Sequence, residues 1–299
     1  MKKLLLNLFL YSSICFGTFS IVAVDSETGE VGSAGGSCIA GSIIISDIHI
    51  GQGAIHTQSY YHATNQNNAS YYMEQGYSPE EIIDLLETND VSGNPGIRQY
   101  GIVDLVDGGR SASYTGEDCF DWKGHINGIT YAIQGNILIG PEILEQMEYN
   151  FVNTQGHLSK RLMSSLQGAN VPGADSRCLD EGISTLSAFM RVAHPSDSDD
   201  YFIDLNVNTV VPHFASTGEW LEPIDSLNTM YDDWLEDQYP FEQGDLNQDD
   251  SIDVLDIVTA INIILGETSP SLGNSFLGDM NEDNVINIQD IILIINIII

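Results

Sequence analysis

Residues 18–41 read TFSIVAVD (18–25), SETGE (26–30) and VGSAGGSCIAG (31–41), and on this stretch the architecture turns. Aromatic and β-branched residues fill the first segment, a polar Gly-containing turn follows, and small residues fill the third. That is strand, turn, strand. The first strand opens on a threonine, directly after the point where a leader would end. Whether Thr18 is a nucleophile or only the first residue of a strand is the question for the rest of the chain.

Working outward, GAIHTQSYY (53–61) gives a third strand. Two helices follow, NASYYMEQG (68–76) ending on Gly76 and SPEEIIDLLETND (78–90) opening with Ser78 as N-cap, Pro79 at N1 and Glu81 at N3. RQYGIVDL (98–105) and RSASYTG (110–116) flank the turn VDGG as a hairpin, and ITYAIQGNIL (129–138) is another strand. A second helix pair, GPEILEQMEYNFVNT (140–154) and LSKRLMSSLQG (158–168), precedes the strands LSAFMRVAH (186–194) and YFIDLNV (201–207). IDSLNTMYDDWLED (224–237) reads as a closing helix and the segment around YPFEQ (239–243) as a linker. Antiparallel strand groups separated by paired helices predict an α+β fold, two packed sheets with helix pairs outside, an αββα sandwich. A doubly wound parallel sheet is disfavoured, because single helices do not alternate with single strands.

Composition sets further bounds. The 299 residues hold 9 Lys+Arg against 43 Asp+Glu, a net charge of −34, and no Lys or Arg follows Arg191. Such a polyanion repels nucleic acid and anionic membranes. Its carboxylates suit a hydrated surface or hard cations. Met1-Lys-Lys, a short apolar core and Cys15 and Gly17 at the −3 and −1 positions predict a signal peptide over 1–17, with cleavage before Thr18. The run is too short and interrupted to span a bilayer, and a lipoprotein reading through Cys15 lacks a convincing lipobox. A secreted, cell-surface or periplasmic location follows. The mature chain keeps Cys38, Cys119 and Cys178, enough for one internal bridge whose pair the spacing does not choose.

From Gly244 a different kind of sequence begins. DLNQDDSIDVLD (245–256) and DMNEDNVINIQD (279–290) are twelve-residue loops in one register, with oxygen-bearing side chains at positions 1, 3, 5, 9 and 12. The first offers Asp245, Asn247, Asp249, Asp253 and Asp256 with the Ser251 carbonyl at position 7. The second offers Asp279, Asn281, Asp283, Asn287 and Asp290 with the Val285 carbonyl. Ile252 and Ile286 would pin the loops back to back, while Asp250 and Asn284 tolerate the left-handed turn at position 6. One helix follows each loop and none is expected before either. Residues 244–299 resemble a type I dockerin. The resemblance implies a small all-α domain with two structural calcium ions, and attachment to a cohesin-like protein or cell-surface anchor.

The first module resembles an uncharacterised Ntn-hydrolase-like family (domain of unknown function 1028), within the N-terminal-nucleophile superfamily, whose chains begin Thr-Phe-Ser-Ile-Val-Ala. The matching stretches are TFSIVAVDSETGEVG (18–32), GAIHTQ (53–58), GYSPEEII (76–83), RQYGIVD (98–104), YTGEDCFDWKGH (114–125), QGNIL (134–138) and GADSR (173–177), in order from Thr18 to roughly Val207, within a domain expected over 18–240. The resemblance implies the four-layer αββα fold and a mature chain starting at Thr18. There the hydroxyl attacks an amide carbonyl and the free α-amine serves as base. An α-amine with a pKa of about 7.7–8.0 suits that work.

The remaining catalytic candidates are Asn136 as an oxyanion donor, Asp175 and Arg177 to orient the amine or hold a substrate carboxylate, and Ser37 near Thr18. Each has a plainer role open to it, as turn cap, ion pair or strand residue. Relatives carry a basic residue where this chain has Cys38, which weakens the catalytic expectation. His125 and Gln58 fall in matching stretches but read as structural residues, and His49, His56 and His62 are unevenly spaced for one strand face. The expectation is an exported hydrolase of an amide, peptide-like or small, with a calcium-loaded tail. The alternatives are a non-catalytic Ntn-like scaffold and a component of polysaccharide degradation, and no paired carboxylates single themselves out for the last.

Overall fold

The computed structural model describes residues 17–198, 200–208, 221–281, 283 and 285–299. The leader expected over residues 1–17 therefore lies outside the described residues except for Gly17, as does Asn284.

Strand β1 (Thr18–Asp25) and β2 (Glu30–Ser37) form the expected hairpin, Phe19 opposite Gly36 and Asp25 opposite Glu30. With β7 (Gly124–Asn127), β8 (Tyr131–Asn136), β9 (Ser187–Ala193) and β10 (Ile203–Asn208) they make a six-stranded sheet in the order β10-β9-β2-β1-β8-β7. A second sheet runs β3-β4-β5-β6, from β3 (Ser46–His49), β4 (Gly53–Ser59), β5 (Arg98–Asp104) and β6 (Arg110–Thr115). Every pairing in both sheets is antiparallel. The short strands β3 and β7 were not expected; four residues each offer too little alternation to register.

β1 shows why the opening stretch matters. Its side chains alternate between two cores. Phe19, Ile21 and Ala23 pack against α3 (Glu142–Asn153), α4 (Leu158–Gly168) and α5 (Pro223–Gln238), among Leu144, Met147, Phe151 and Leu162. Val22 and Val24 face the second sheet, against Ile48, Ala54 and Val103. The outer face of that sheet is covered by α1 (Ala63–Glu74) and α2 (Pro79–Thr88), with Ile55, Tyr100 and Ile102 against Met73, Ile82 and Leu86. β2 is built from small residues because α4 lies close over it; a Cβ at Gly32 would run into Leu162. Phe19 is fully buried. Phe19→Ala is expected to cost about 3–5 kcal/mol, read as a lower urea midpoint at unchanged slope.

Helix ends follow their local chemistry. α2 has the capping box of Ser78 and Glu81, and Gly76 takes φ 82 after α1. α1 begins earlier than expected, because the His62 side chain accepts from the Thr64 N–H and caps it.

The tail contains α6 (Val254–Ile264), α7 (Leu272–Gly278) and α8 (Ile288–Ile298) around a small core of Leu246, Ala260, Ile291 and Ile294. Ile252 and Ile286 both pack against it. The expectation that no helix precedes either loop needs correction. α7 runs up to Asp279, the first residue of the second loop. SLGNSFLG has weak helix propensity, but a Ser271–Asn274 capping box and the burial of Leu272 and Leu277 hold it. Leu272 joins the core beneath α4 and α5, and Phe276 lies near Tyr239 with ring centroids 6.5 Å apart. No described helix is long and apolar enough to cross a membrane.

Candidate functional site

Thr18 heads β1 directly opposite Asn136, the last residue of β8. Opposed residues share a face. By the period of two, Thr18 and Ser20 face the second sheet, at the end where the interlayer is polar instead of apolar. Gln134 Nε2 donates to Ser20 Oγ at 2.6 Å, and Ser20 Oγ donates to Gln58 Oε1 at 2.6 Å. Gln58 Nε2 donates to Gln99 Oε1 at 2.8 Å and to the Thr18 carbonyl at 3.4 Å. Asn136 Nδ2 donates to the same Gln99 oxygen at 2.9 Å. Gln99 Nε2 is in turn surrounded by acceptors, Thr115 Oγ1, the Gly124 carbonyl and the Gly135 carbonyl. Those acceptors fix which way the Gln99 amide points, and through it the orientation of Gln58 and Asn136. A Cβ at Gly101 would strike Gln134, so the glycine clears room for this layer.

The Gly17–Thr18 junction is gripped from the other side. The Gly17 carbonyl accepts from Ser37 Oγ, and from Arg177 Nη2 at 2.9 Å. Arg177 makes a forked pair with the fully buried Asp175, Nε to Oδ1 at 2.9 Å and Nη2 to Oδ2 at 2.6 Å. Asp175 also accepts from the Cys38 N–H at 2.8 Å. A disulfide between Cys38 and Cys178, Cα atoms 5.7 Å apart, ties the end of β2 to the segment carrying Arg177. Cys119 is left as a buried thiol, pushed up from its ordinary value by burial.

Thr18, Ser37, Asn136, Asp175 and Arg177 thus meet at one end of the six-stranded sheet. The sequence reading missed Gln99 and Ser20 and passed over Gln58 and Gln134. The alternation of β1, with Ser20 two residues from Thr18, was the available signal. Two backbone outliers flank this layer: Ser59 (φ 67) follows Gln58 and Ile137 (φ 59) follows Asn136. A β-branched residue in left-handed geometry is strained, and strain of this kind concentrates at functional sites.

The histidines do not converge. His56 is fully buried between Ser33 Oγ and Gln134, and burial, with help from Arg191, pushes it down to about 3, so it stays neutral. His49 contacts Ser70, His62 caps α1, and His125 meets Thr115 Oγ1.

Arg98, beside Gln99, anchors the start of β5 through a buried pair with Asp90 at 2.8 Å. Burial raises the Asp90 carboxyl, but hydrogen bonds from Arg98, Asn65 and two backbone N–H groups outweigh it and hold it at about 2. A carboxyl lowered in the folded state lends stability above its unfolded value of about 3.9, lost as pH falls toward 2. Acid titration of stability should therefore show a loss between about pH 4 and 2, and Asp90→Asn should remove that segment of the curve.

In the tail the two loops repeat one hydrogen-bond pattern. Asp245 accepts from the Asp249 and Asp250 N–H groups, and Asp279 from that of Asp283. Asp256 and Asp290, both fully buried, accept from Asn247 and Asp253 and from Asn281 and Asn287. Positions 9 and 12 of each loop form the capping box of the helix that follows, Asp253 with Asp256 and Asn287 with Asp290. Asp250 takes φ 68, the left-handed turn expected at position 6. Among the described residues no three His, Cys, Asp or Glu side chains converge into a finished cage. The donor set nonetheless fits calcium: all-oxygen, rich in buried carboxylates, with Asn247, Asn281, Asn287 and the Ser251 and Val285 carbonyls completing it.

Residues 18–214 match a family of unknown function, DUF1028, and residues 243–299 match the type I dockerin domain. The fold is similar to the crystal structure of a protein from Silicibacter pomeroyi that carries the same DUF1028 designation. The TM-score is 0.58 and the identity 24%, over 73% of this chain and 88% of that one. A comparison with curated proteins finds no match.

Proposed function

The chain belongs to the DUF1028 family of unknown function and ends in a type I dockerin domain, and from that premise we propose that its first domain is an N-terminal-nucleophile hydrolase of amide bonds. The dockerin domain is of a calcium-binding type that attaches to cohesin-type partners, which puts such proteins outside the cell or on its surface. The hydrolase reading and the removal of residues 1–17 are the proposal. Two facing antiparallel sheets with helices on both outer sides support the Ntn four-layer reading.

One observation carries it: Ser37 and Arg177 both donate to the Gly17 carbonyl, at the peptide bond a leader cleavage would break. Once residues 1–17 are gone, the new α-amine of Thr18 stands beside that serine hydroxyl and guanidinium. A positive neighbour disfavours protonation of the amine and keeps it able to take the threonine proton. That positive neighbour is Arg177, held in place by Asp175 and the Cys38–Cys178 bridge. Asn136 spends one Nδ2 proton on Gln99 and keeps a second for a developing oxyanion.

The test is to determine the first residue of the secreted chain, then expose it to an acylating nitrophenyl ester and map the adduct by mass spectrometry. An acyl group on Thr18 supports the proposal; a chain that begins elsewhere defeats it. Thr18 is only 1% exposed with Gly17 attached, which favours the non-catalytic scaffold as the second reading. That reading expects a correctly processed chain that takes up no acyl group.

A further inference from the structure

The two calcium loops share their hydrogen bonds but not their surroundings. At the second loop, Lys160 of α4 reaches over from the first domain and sets Nζ 2.9 Å from Asp279 Oδ2. Asp279 is position 1 of that loop. The contact is shielded, with 20% of the Lys160 side chain and 7% of the Asp279 side chain exposed. Among the described residues no corresponding ion pair reaches the first loop. The chain has no Lys or Arg beyond Arg191, so the tail brings no cation of its own.

Geometry keeps Lys160 there. α7, which ends at Asp279, is pinned to the first domain through Leu272, and Gly156 just before α4 lies close to Ser275. Lys160 also borders a groove of about 360 Å³ lined by Asp279, Val285 and Asn287, positions 1, 7 and 9 of the second loop. An ion entering that loop meets the ammonium at its first ligand.

We propose that Lys160 makes the two calcium loops unequal: its ammonium balances the second loop until calcium displaces it from Asp279, so the first loop fills at lower calcium. Two cations competing for one partly buried carboxylate repel more strongly than they would in open water. The second loop should bind about tenfold more weakly than the first. This rests on the dockerin assignment and not on the hydrolase reading, so either can fail alone.

The experiment is calorimetric titration of the chelator-treated full chain with calcium. Wild type is expected to show two constants about tenfold apart. Asp249→Asn and Asp283→Asn weaken the first and second loop respectively and so assign the constants. Lys160→Gln should tighten the second loop by about tenfold and leave the first unchanged, while Lys160→Arg, which keeps the charge, should leave both. In ¹⁵N spectra the Lys160 ammonium signal, visible while its protons are held by Asp279, should vanish only with the second equivalent of calcium. Equal constants in wild type, a Lys160→Gln variant that shifts neither loop or both alike, or an ammonium signal indifferent to calcium would overturn the proposal.

Discussion

Thr18→Ala in the processed chain is expected to lower turnover of a chromogenic amide by about a million-fold while leaving the fold intact. The side chain removed is the proposed nucleophile, and loss of a nucleophile costs on that order even where the remaining site still binds and polarises the substrate. The structural cost should stay within about 1 kcal/mol, because one hydroxyl and one methyl are lost at the end of a strand whose neighbours remain packed. Thr18→Ser keeps a hydroxyl beside the amine and should retain measurable turnover. Acetylating the α-amine should mimic Thr18→Ala, since the hydroxyl then has no base. A Thr18→Ala chain that kept its rate would end the nucleophile mechanism and leave the scaffold reading standing.

Removing the Cys38–Cys178 bridge is expected to cost about 3–5 kcal/mol, because the cross-link spans 140 residues and long loops lose the most entropy when closed in the unfolded chain. A Cys38→Ala/Cys178→Ala double variant in urea reads this directly. Under the proposed hydrolase mechanism, turnover should fall further than stability accounts for. Ser37 precedes one half-cystine and Arg177 the other, so the hydroxyl and guanidinium that would stand beside the Thr18 amine lose their common tether. Thiol counting checks the pairing: the denatured, unreduced mature chain should show one reactive thiol, Cys119, and three after reduction. Three before reduction would remove the bridge from the account.

Much of the fold was legible because its signals are local. The β1–β2 hairpin, the Ser78 capping box and the helix pair α3–α4 each declare themselves within one short continuous stretch of chain. β3, β7 and α7 were missed, each being only four to seven residues long and so too short to declare a period. At the site, Thr18, Asn136, Asp175, Arg177 and Ser37 stood out through resemblance. Gln99 did not: an ordinary glutamine in a strand becomes the hub of a hydrogen-bonded layer only when β4, β5 and β8 are stacked.

By itself the sequence determined the dockerin tail, the spacing of its two oxygen-rich loops and the head of β1. Loop ligands and helix caps are satisfied by groups a few bonds away, so their spacing is their structure. The tertiary fold alone decided which cysteines pair, that Arg177 reaches Gly17 across 160 residues, and that Lys160 meets Asp279 across 119. A strand or helix pattern states which face a side chain occupies but not what lies opposite. Only the packing of one layer on another supplies that partner.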